Sequence, residues 1–250
     1  MNIFRIIYNF LRKEKKKYEF VPLDFCRGNP AFSFGRNGSH PHIKILREYA
    51  TFKDSEKLSK NLVDFYSGPN FVSAADIYYK NIGKRKFQNI KAYAMPFPWS
   101  IDSLKLNERA LEKGLKREAK LNLFFGAAEE WWPWGGTASL KKVQIEMRRY
   151  EKILLSFIQN GYDKSIYRLS PITGTLVVSR KGERIMLINS GQHRCIVASA
   201  INILKIIVRV DSVVYFQDFN KWHLVKTGVF SKFDIDLFEE IFFSSRGLDY

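Results

Sequence analysis

The sequence predicts a mixed α/β (α+β) fold, in which a small mixed sheet is flanked by helices. Two short apolar runs, 184–189 and 206–210, have the length and the β-branched content of buried strands. A helix-compatible segment lies between them, directly after Ser190-Gly191. We expect the two strands to share one sheet, joined by a right-handed crossover.

The other elements of the second half follow from local patterns. Run 139–160 has apolar residues at the helical period and is followed by Gly161, a helix stop. Segments 176–178 and 184–189 flank a short polar turn and predict a hairpin. Segment 234–243 predicts a further amphipathic helix.

The first half predicts a loop followed by helices. Residues 20–43 are rich in Pro, Gly and Asn and are expected to form a loop. Apolar spacing predicts two short helices within 43–66 and another helix over 99–123. Positive charge is concentrated here: segment 80–120 has a net charge of +7, and segment 1–20 has a net charge of +4.

This uneven charge predicts two domains. Region 1–124 would be basic and mainly helical, and region 125–250 would be a phosphate- or nucleotide-binding domain. The apolar residues of segment 3–11 precede a basic cluster at 12–17, an order that suits an amphipathic helix on an anionic membrane and not a secretory signal. A solvated terminal helix packed against the body is the alternative.

Composition narrows the class of protein. A hydrophobic content of 46% over 250 residues is ample for a core and excludes global disorder. Two cysteines are too few for a disulfide framework, which favours the cytoplasm, with peripheral association at the inner membrane face as an addition. The net charge of +16 indicates a polyanionic partner: nucleic acid, acidic lipid, phosphorylated metabolite or acidic glycan.

The segment Ser190-Gly191-Gln192-His193-Arg194 has the residue types of a phosphate-binding turn. A helix N-terminus presents N–H donors and about half a positive charge, and glycine lets the backbone approach a ligand closely. The arginine offers a planar fork to phosphate oxygens, and the histidine can donate to phosphate or shuttle a proton. The serine and glutamine would contact the ligand. The alternative is that the histidine and arginine only cap the element and pair with carboxylates.

Glu146 is the candidate acid/base residue, on the helix that precedes this segment. It could serve as a general base or as a metal carboxylate near a transferred phosphoryl group. A solvated pair with Arg149, one helical turn away, is the alternative.

Two further groups of residues also have two interpretations. Glu129 and Glu130 stand beside three tryptophans and could form a platform for a sugar or a base, although such aromatics also pack in cores. His40-Pro-His42 lacks a nearby Cys or acidic residue, so we predict no metal site there.

The run from Glu146 to Val210 resembles the ParB/sulfiredoxin-like superfamily, and it covers about a quarter of the chain. The matching pieces are the helix that ends at Asn160-Gly-Tyr, the strand entry Pro171–Leu176, the Gly-x-His-Arg motif and the strand after it. The resemblance implies a small mixed α/β domain whose Gly-x-His-Arg loop binds nucleotide phosphates.

Departures from the family narrow the implied activity. Gln192 stands where sulfiredoxins have their cysteine, and Cys195 lies on the wrong side of the motif to replace it. Ser190 stands where the free-amino-acid kinases, including the distantly similar free-serine kinases, have an acidic residue. The 40 residues after Val210 are fewer than the DNA-binding domain of partitioning ParB proteins needs.

The loop Trp131–Thr137 and the segment Trp222–Ser231 resemble ParB-like proteins of bacterial surface-polysaccharide gene clusters. The resulting expectation is phosphoryl transfer by an ATP- or ADP-dependent kinase or phosphotransferase, with Mg²⁺, to a small polar or sugar acceptor in surface-polysaccharide metabolism. His193 and Glu146 would be catalytic, and 190–194 would bind the nucleotide or phosphorylated ligand. The alternative is a non-catalytic nucleotide- or DNA-binding module or adaptor, with nucleic acid less favoured than a small phosphorylated partner.

Overall fold

A computed structural model shows the fold of the chain. It describes residues 17–28, 31–67, 97–100, 116, 139–162 and 171–244. The strands are β1 Tyr18–Pro22, β2 Cys26–Arg27, β3 Ile172–Val178, β4 Arg184–Ser190 and β5 Lys205–Tyr215. The α-helices are α1 Pro41–Phe52, α2 Ser55–Tyr66, α3 Leu140–Asn160, α4 Gln192–Ala200, α5 His223–Lys226 and α6 Lys232–Phe243.

The five strands form one mixed sheet in the order β1-β5-β3-β4-β2. Central strand β3 runs parallel to β5 and antiparallel to β4, β1 is antiparallel to β5, and β2 is parallel to β4. The predicted mixed α/β class is therefore confirmed. Strands β4 and β5 share the sheet as expected, but β3 separates them and they run in opposite directions. The right-handed crossover predicted for them is wrong, because that rule applies to parallel strands.

The hairpin prediction is confirmed by the pairing of β3 with β4. Ser179 N–H donates to the carbonyl of Glu183 at 2.9 Å, and Gly182 turns the chain with a φ of +83°. Positive φ is accessible to glycine at little cost, which accounts for the residue at this turn.

The prediction of a loop over 20–43 is wrong at its start, where β1 and β2 form. Only Val21 of β1 is buried, since β1 lies at the sheet edge with a single neighbour. Strand β2 has only two residues. Neither strand has an apolar period that marks it in the sequence, because both are formed by pairing with distant strands.

The helix predictions for 43–66 and 139–160 are confirmed. Asp54 caps α2 by accepting from Lys57 N–H at 2.9 Å. Ser139 caps α3 in the same manner, and Gly161 ends α3 with a φ of +65°.

Helices cover the sheet and build the core around it. Helix α4 packs against α1 and α3 and buries almost all of its side chains, among them Ile196, Val197 and Ala200. Helix α6, observed where 234–243 predicted a helix, buries Phe238 and Phe242 in an aromatic cluster with Phe216 and Trp99.

Several predictions lie outside the described residues. They concern segment 1–16, the basic run 80–91, most of helix 99–123, the tryptophan loop 129–137 and the domain boundary at 124/125. Among the helices that are described, none is both long enough and apolar enough to cross a membrane.

Candidate functional site

The first turn of α4 begins at Gly191, which is its N-cap with a φ of +90°. The N-cap residue, being glycine, has no side chain that could cap the helix. A Cβ atom on Gly191 would come within 2.8 Å of Arg194 Nη2 and 2.9 Å of Ile172 Cγ1. Glycine is therefore required here by the backbone angle and by close packing of the Arg194 guanidinium.

Arg194 and its neighbours surround this turn. The side chain of Arg194 folds back over Gly191 and is only 8% exposed, so most of it is shielded from solvent. Ser190 is exposed. Gln192 donates from Nε2 to the Ile188 carbonyl at 3.2 Å, and its Oε1 accepts no hydrogen bond from the residues that the structure describes. All five residues predicted as ligand-binding thus lie at one helix end.

The two predicted catalytic residues are in direct contact where α3 meets α4. His193 Nε2 lies 2.6 Å from Glu146 Oε2. The other carboxylate oxygen of Glu146 is 3.0 Å from Arg149 Nη1 and 3.3 Å from Lys142 Nζ. The carboxylate is therefore shared by three side chains that carry or can carry positive charge.

Glu146 is 3% exposed, so its interpretation as a solvated pair with Arg149 is wrong. Burial raises the pKa of this carboxyl, but the hydrogen bond from His193 and the charges of His193, Lys142 and Arg149 outweigh burial and lower the pKa to about 2. The carboxylate is ionised at neutral pH and can only accept hydrogen bonds.

The charge of Glu146 determines where His193 carries its proton. Since an ionised carboxylate needs a donor, the proton lies on Nε2 of His193. Arg149 Nη1, 3.2 Å from Nε2, is then a neighbour of this nitrogen and not a donor to it.

A buried layer that the sequence did not reveal lies behind His193. The ring of Tyr150 is 5.3 Å from the His193 ring, and Tyr150 Oη is 2.6 Å from His42 Nδ1. Burial lowers the pKa of His42 to about 3 and raises that of Tyr150 well above its usual value. His42 is therefore neutral at physiological pH.

His40 has a structural role at the start of α1. Its Nδ1 accepts from His42 N–H at 3.3 Å, and its ring stacks on Phe34 at 5.3 Å. The sequence signal for this role is Pro41, because proline is common at the first position of a helix directly after the N-cap.

The described residues contain little that could bind a metal ion. No group of three or more His, Cys, Asp or Glu side chains there could hold a metal ion. Glu146 does not fit Mg²⁺, because both of its oxygens already lie within 3.3 Å of side-chain nitrogens of Lys142, Arg149 and His193. No step involving Glu146 is therefore assigned to the ion.

The remaining candidates do not contact the Glu146–His193 pair in the described structure. Cys195 is fully buried, and burial raises its pKa to about 12, so it is a core residue of α4 as predicted. His223 is exposed on α5 and is separated in the sequence from the start of α4. A cleft of about 980 Å³ has Arg27, Arg36 and Arg184 among its lining residues, but neither Glu146 nor His193.

No family model, curated protein or solved structure matches the chain.

Proposed function

We propose that the first turn of α4 binds the phosphate group of a nucleotide or phosphorylated small molecule, and that His193 takes part in transferring a phosphoryl group. The observation that carries this proposal is the 2.6 Å contact of His193 with the buried Glu146 carboxylate, directly beside the start of helix α4 at Gly191. The proposed reaction is transfer to a small polar or sugar acceptor.

Anion binding is supported by the charges around this helix end. Unsatisfied N–H groups and the helix dipole favour a negative ligand at a first turn. Arg194 lies in that turn, and its guanidinium offers a planar fork of donors that suits phosphate oxygens. A phosphate would offset both the dipole and the guanidinium charge.

The chemistry is supported by the arrangement of Glu146 and His193. A carboxylate that holds one imidazole nitrogen fixes the tautomer and orients the ring, as in catalytic dyads generally. The hydrogen bond from His193, together with the charges of Lys142 and Arg149, keeps this carboxylate ionised. Glu146 would thus position His193, and His193 would act on the ligand.

The nature of the ligand follows from the family resemblance. We propose a ParB/sulfiredoxin-like fold for the region from Glu146 to Val210, with the Gly-x-His-Arg segment as a nucleotide site. ATP or ADP, accompanied by Mg²⁺ on its phosphates, would be the donor, and surface-polysaccharide metabolism the setting. The five-stranded mixed sheet is compatible with this proposal.

Calorimetric titration with ATP, ADP and inorganic phosphate tests the binding site. Arg194→Ala should remove a charge-assisted hydrogen bond of about 1.5–3 kcal/mol and weaken affinity roughly ten- to hundredfold. Gly191→Ala should also weaken binding, because a φ of +90° is strained for alanine and the new Cβ would displace the Arg194 guanidinium, 2.8 Å away.

Gly182→Ala is the matched control for Gly191→Ala. Gly182 also has a positive φ, +83°, but nothing lies within 4 Å of the Cβ it would acquire. This variant should lose some stability and keep ligand affinity. Equal affinity of wild type, Arg194→Ala and Gly191→Ala would refute the phosphate site.

A binding module without turnover is the second candidate function. It is favoured by Ser190, which stands where the similar kinases have an acidic residue, and by the full set of cationic partners on Glu146. This candidate predicts phosphate binding at α4 with no consumption of nucleotide. A DNA-binding module would also bind duplex with an affinity that falls steeply as salt rises.

A further inference from the structure

We propose that two adjoining cavities form a binding site for a fatty-acid-like ligand, a carboxylate with an unbranched apolar tail. The first is the cleft of about 980 Å³ lined by Arg27, Arg36 and Arg184, which we call the arginine cleft. The second, which we call the apolar pocket, has a volume of about 380 Å³. Glu146 and His193 line neither cavity, so this site is independent of the proposed function.

The two cavities adjoin because the sheet is curled. Strands β1 and β2 lie at opposite edges of the sheet, and only residues 23–25 separate them in the chain. Across a flat sheet these edges would be about 19 Å apart, whereas the chain from Pro22 to Cys26 spans at most about 14 Å. The curl also brings Glu19 Oε2 of β1 to 3.1 Å from Arg184 Nη2 of β4, although two strands lie between them. As a result, three residues line both cavities: Phe25, Arg184 and Ile185.

The arginine cleft suits a group with one negative charge. Its charged lining residues are three arginines and two carboxylates, Asp24 and Glu183, so one positive charge is in excess. A single carboxylate would balance this charge better than a doubly charged group. Since the guanidinium of Arg27 already donates to carbonyl oxygens and to Ser33 Oγ, contact with the ligand falls to the other two arginines.

Both of these arginines keep donors for a ligand. The side chain of Arg36 is exposed and has no acidic partner among the described residues. Arg184 contacts Glu19 through Nη2 alone, so within the described structure its Nε and Nη1 remain available. A guanidinium fork can bind a carboxylate through two parallel hydrogen bonds.

The loop 33–39 holds Arg36 beside the cleft. Arg36 N–H donates to Asp24 Oδ1 at 3.2 Å, and the Arg36 carbonyl accepts from Arg47 Nη2 at 2.9 Å. Gly35 packs so closely on Asp24 that it has no room for a Cβ atom. The backbone that presents Arg36 is therefore ordered before a ligand binds, which lowers the entropic cost of binding.

The apolar pocket suits the tail of the ligand. Side chains from three strands line it, among them Phe20, Val21, Leu176 and Met186. Phe20 and Phe25 are 75% and 52% exposed, and an alkyl tail in the pocket would cover apolar surface that otherwise faces water. The volume of this pocket lies within the range of about 300–1,000 Å³ that is typical of small-molecule sites.

Calorimetric titration of the full chain with butanoate, hexanoate and octanoate tests the site. Each methylene that is buried should tighten binding up to about fourfold, so octanoate should bind at least about tenfold more tightly than butanoate. Octanamide has the same tail without the charge and should bind roughly ten- to hundredfold more weakly than octanoate.

Two substitutions of exposed residues separate the head of the ligand from its tail. Arg36→Gln should weaken octanoate binding about tenfold or more and keep the dependence on chain length. Phe25→Ala should flatten the dependence on chain length and leave butanoate affinity as in wild type. Arg148→Gln on α3 and Phe233→Ala on α6 are the matched controls, because both residues are exposed and line neither cavity. Both controls should bind octanoate like wild type.

Equal affinity for butanoate and octanoate, or octanoate binding that neither Arg36→Gln nor Phe25→Ala changes, would overturn the inference. If Phe25→Ala does not fold, Phe20→Ala takes its place with the same expected result, since that side chain is 75% exposed. Octanoate binding that is lost in Arg194→Ala would also overturn the inference, because it would move the ligand to the start of α4. Octanoate binding that Arg194→Ala leaves unchanged would support a separate site.

Discussion

Arg27 of β2 and Glu146 of α3 are both buried charged side chains, but their partners differ in kind. Arg27 is 1% exposed, and its guanidinium donates to one hydroxyl, Ser33 Oγ, and to the carbonyl oxygens of Asp24, Cys26, Phe242 and Ser244. The partners of Glu146 are the side chains of Lys142, Arg149 and His193.

The difference separates a charge with a structural role from one that, in the proposed function, positions His193. Main-chain carbonyls at the end of α6 stabilise Arg27 and favour its positive charge at a helix C-terminus. Burial lowers the pKa of Arg27 to about 10, which still leaves it charged at neutral pH. Its hydrogen bonds join β2 to α6 and leave little donor capacity for a ligand, although Arg27 lines a cleft of about 980 Å³.

Glu146 differs because its partners reach the surface. The side chains of Arg149 and His193 are 44% and 25% exposed, whereas the carboxylate itself is buried. A ligand at the first turn of α4 would therefore meet side chains that are held in place by hydrogen bonds to Glu146. A choice of site by cleft volume alone would instead select the cleft of about 980 Å³ that Arg27 lines.

The largest expected effect is the loss of stability in Arg27→Ala. Removing the guanidinium leaves several buried carbonyl oxygens without a donor, and we expect the free energy of unfolding to fall by about 3–4 kcal/mol. Urea denaturation at neutral pH measures it. Arg36→Ala is the control: its side chain is exposed on the same cleft, and its substitution should change stability by less than about 0.5 kcal/mol. If Arg27→Ala folded but bound phosphate more weakly than wild type, Arg27 would also take part in ligand binding, and the distinction from Glu146 would fail.

Glu146→Gln should have the next largest effect. A carboxyl whose pKa is lowered from 4.5 to about 2 stabilises the fold when ionised, and the amide cannot replace that charge. We expect a loss of about 2–3 kcal/mol at pH 7, measured by urea denaturation. Glu240→Gln, on the exposed side of α6, should be close to wild type. If Glu146→Gln is equally stable, the carboxylate does not hold α3 and α4 together.

Acidification should weaken the region around Glu146. His42, with a pKa of about 3 in the fold, stays neutral while the unfolded chain takes up a proton below about pH 6.5. Stability is therefore lost as the pH falls, by about 2 kcal/mol for His42 alone between pH 6.5 and pH 5. Glu146 adds to the loss between about pH 4.5 and pH 2, since its lowered pKa acts in the same direction.

Denaturation curves at several pH values measure this loss. His42→Asn should flatten the dependence between pH 7 and pH 5, and the exposed His223→Gln should leave it as in wild type. Equal stability of wild type at pH 7 and pH 5 would mean that the buried histidines carry a proton in the fold.

The sequence predicted those parts of the molecule that depend on local signals. The hairpin, the helix ending at Gly161 and the grouping of 190–194 at a helix start follow from turn residues and periodicity. The sequence also predicts Glu146 as a candidate acid/base residue. In the structure Glu146 contacts His193, from which it is separated by 47 residues in the chain.

Contacts that arise only from folding could not be predicted. His42 and Tyr150 are 108 residues apart, and Arg27 meets Phe242 across 215 residues. Both pairs involve main-chain or buried partners that leave no pattern in the sequence near either residue. The strands β1 and β2 were missed for the same reason, because their partners β5 and β4 are distant in the chain.

The smallest expected effect comes from Tyr150→Phe. This variant tests whether Tyr150 and His42, buried behind His193, have a structural role like that of Arg27 or take part in the proposed site. The substitution removes the 2.6 Å hydrogen bond to His42 and should cost about 1 kcal/mol of unfolding free energy. Because phenylalanine keeps the ring beside His193, phosphate affinity should stay unchanged. Tyr49→Phe is the control, since its hydroxyl bonds a partly exposed carboxylate, Glu151, at 3.2 Å and should contribute less than about 0.5 kcal/mol. If Tyr150→Phe weakened phosphate binding at unchanged stability, the Tyr150 hydroxyl and His42 would be part of the proposed site together with Glu146 and His193.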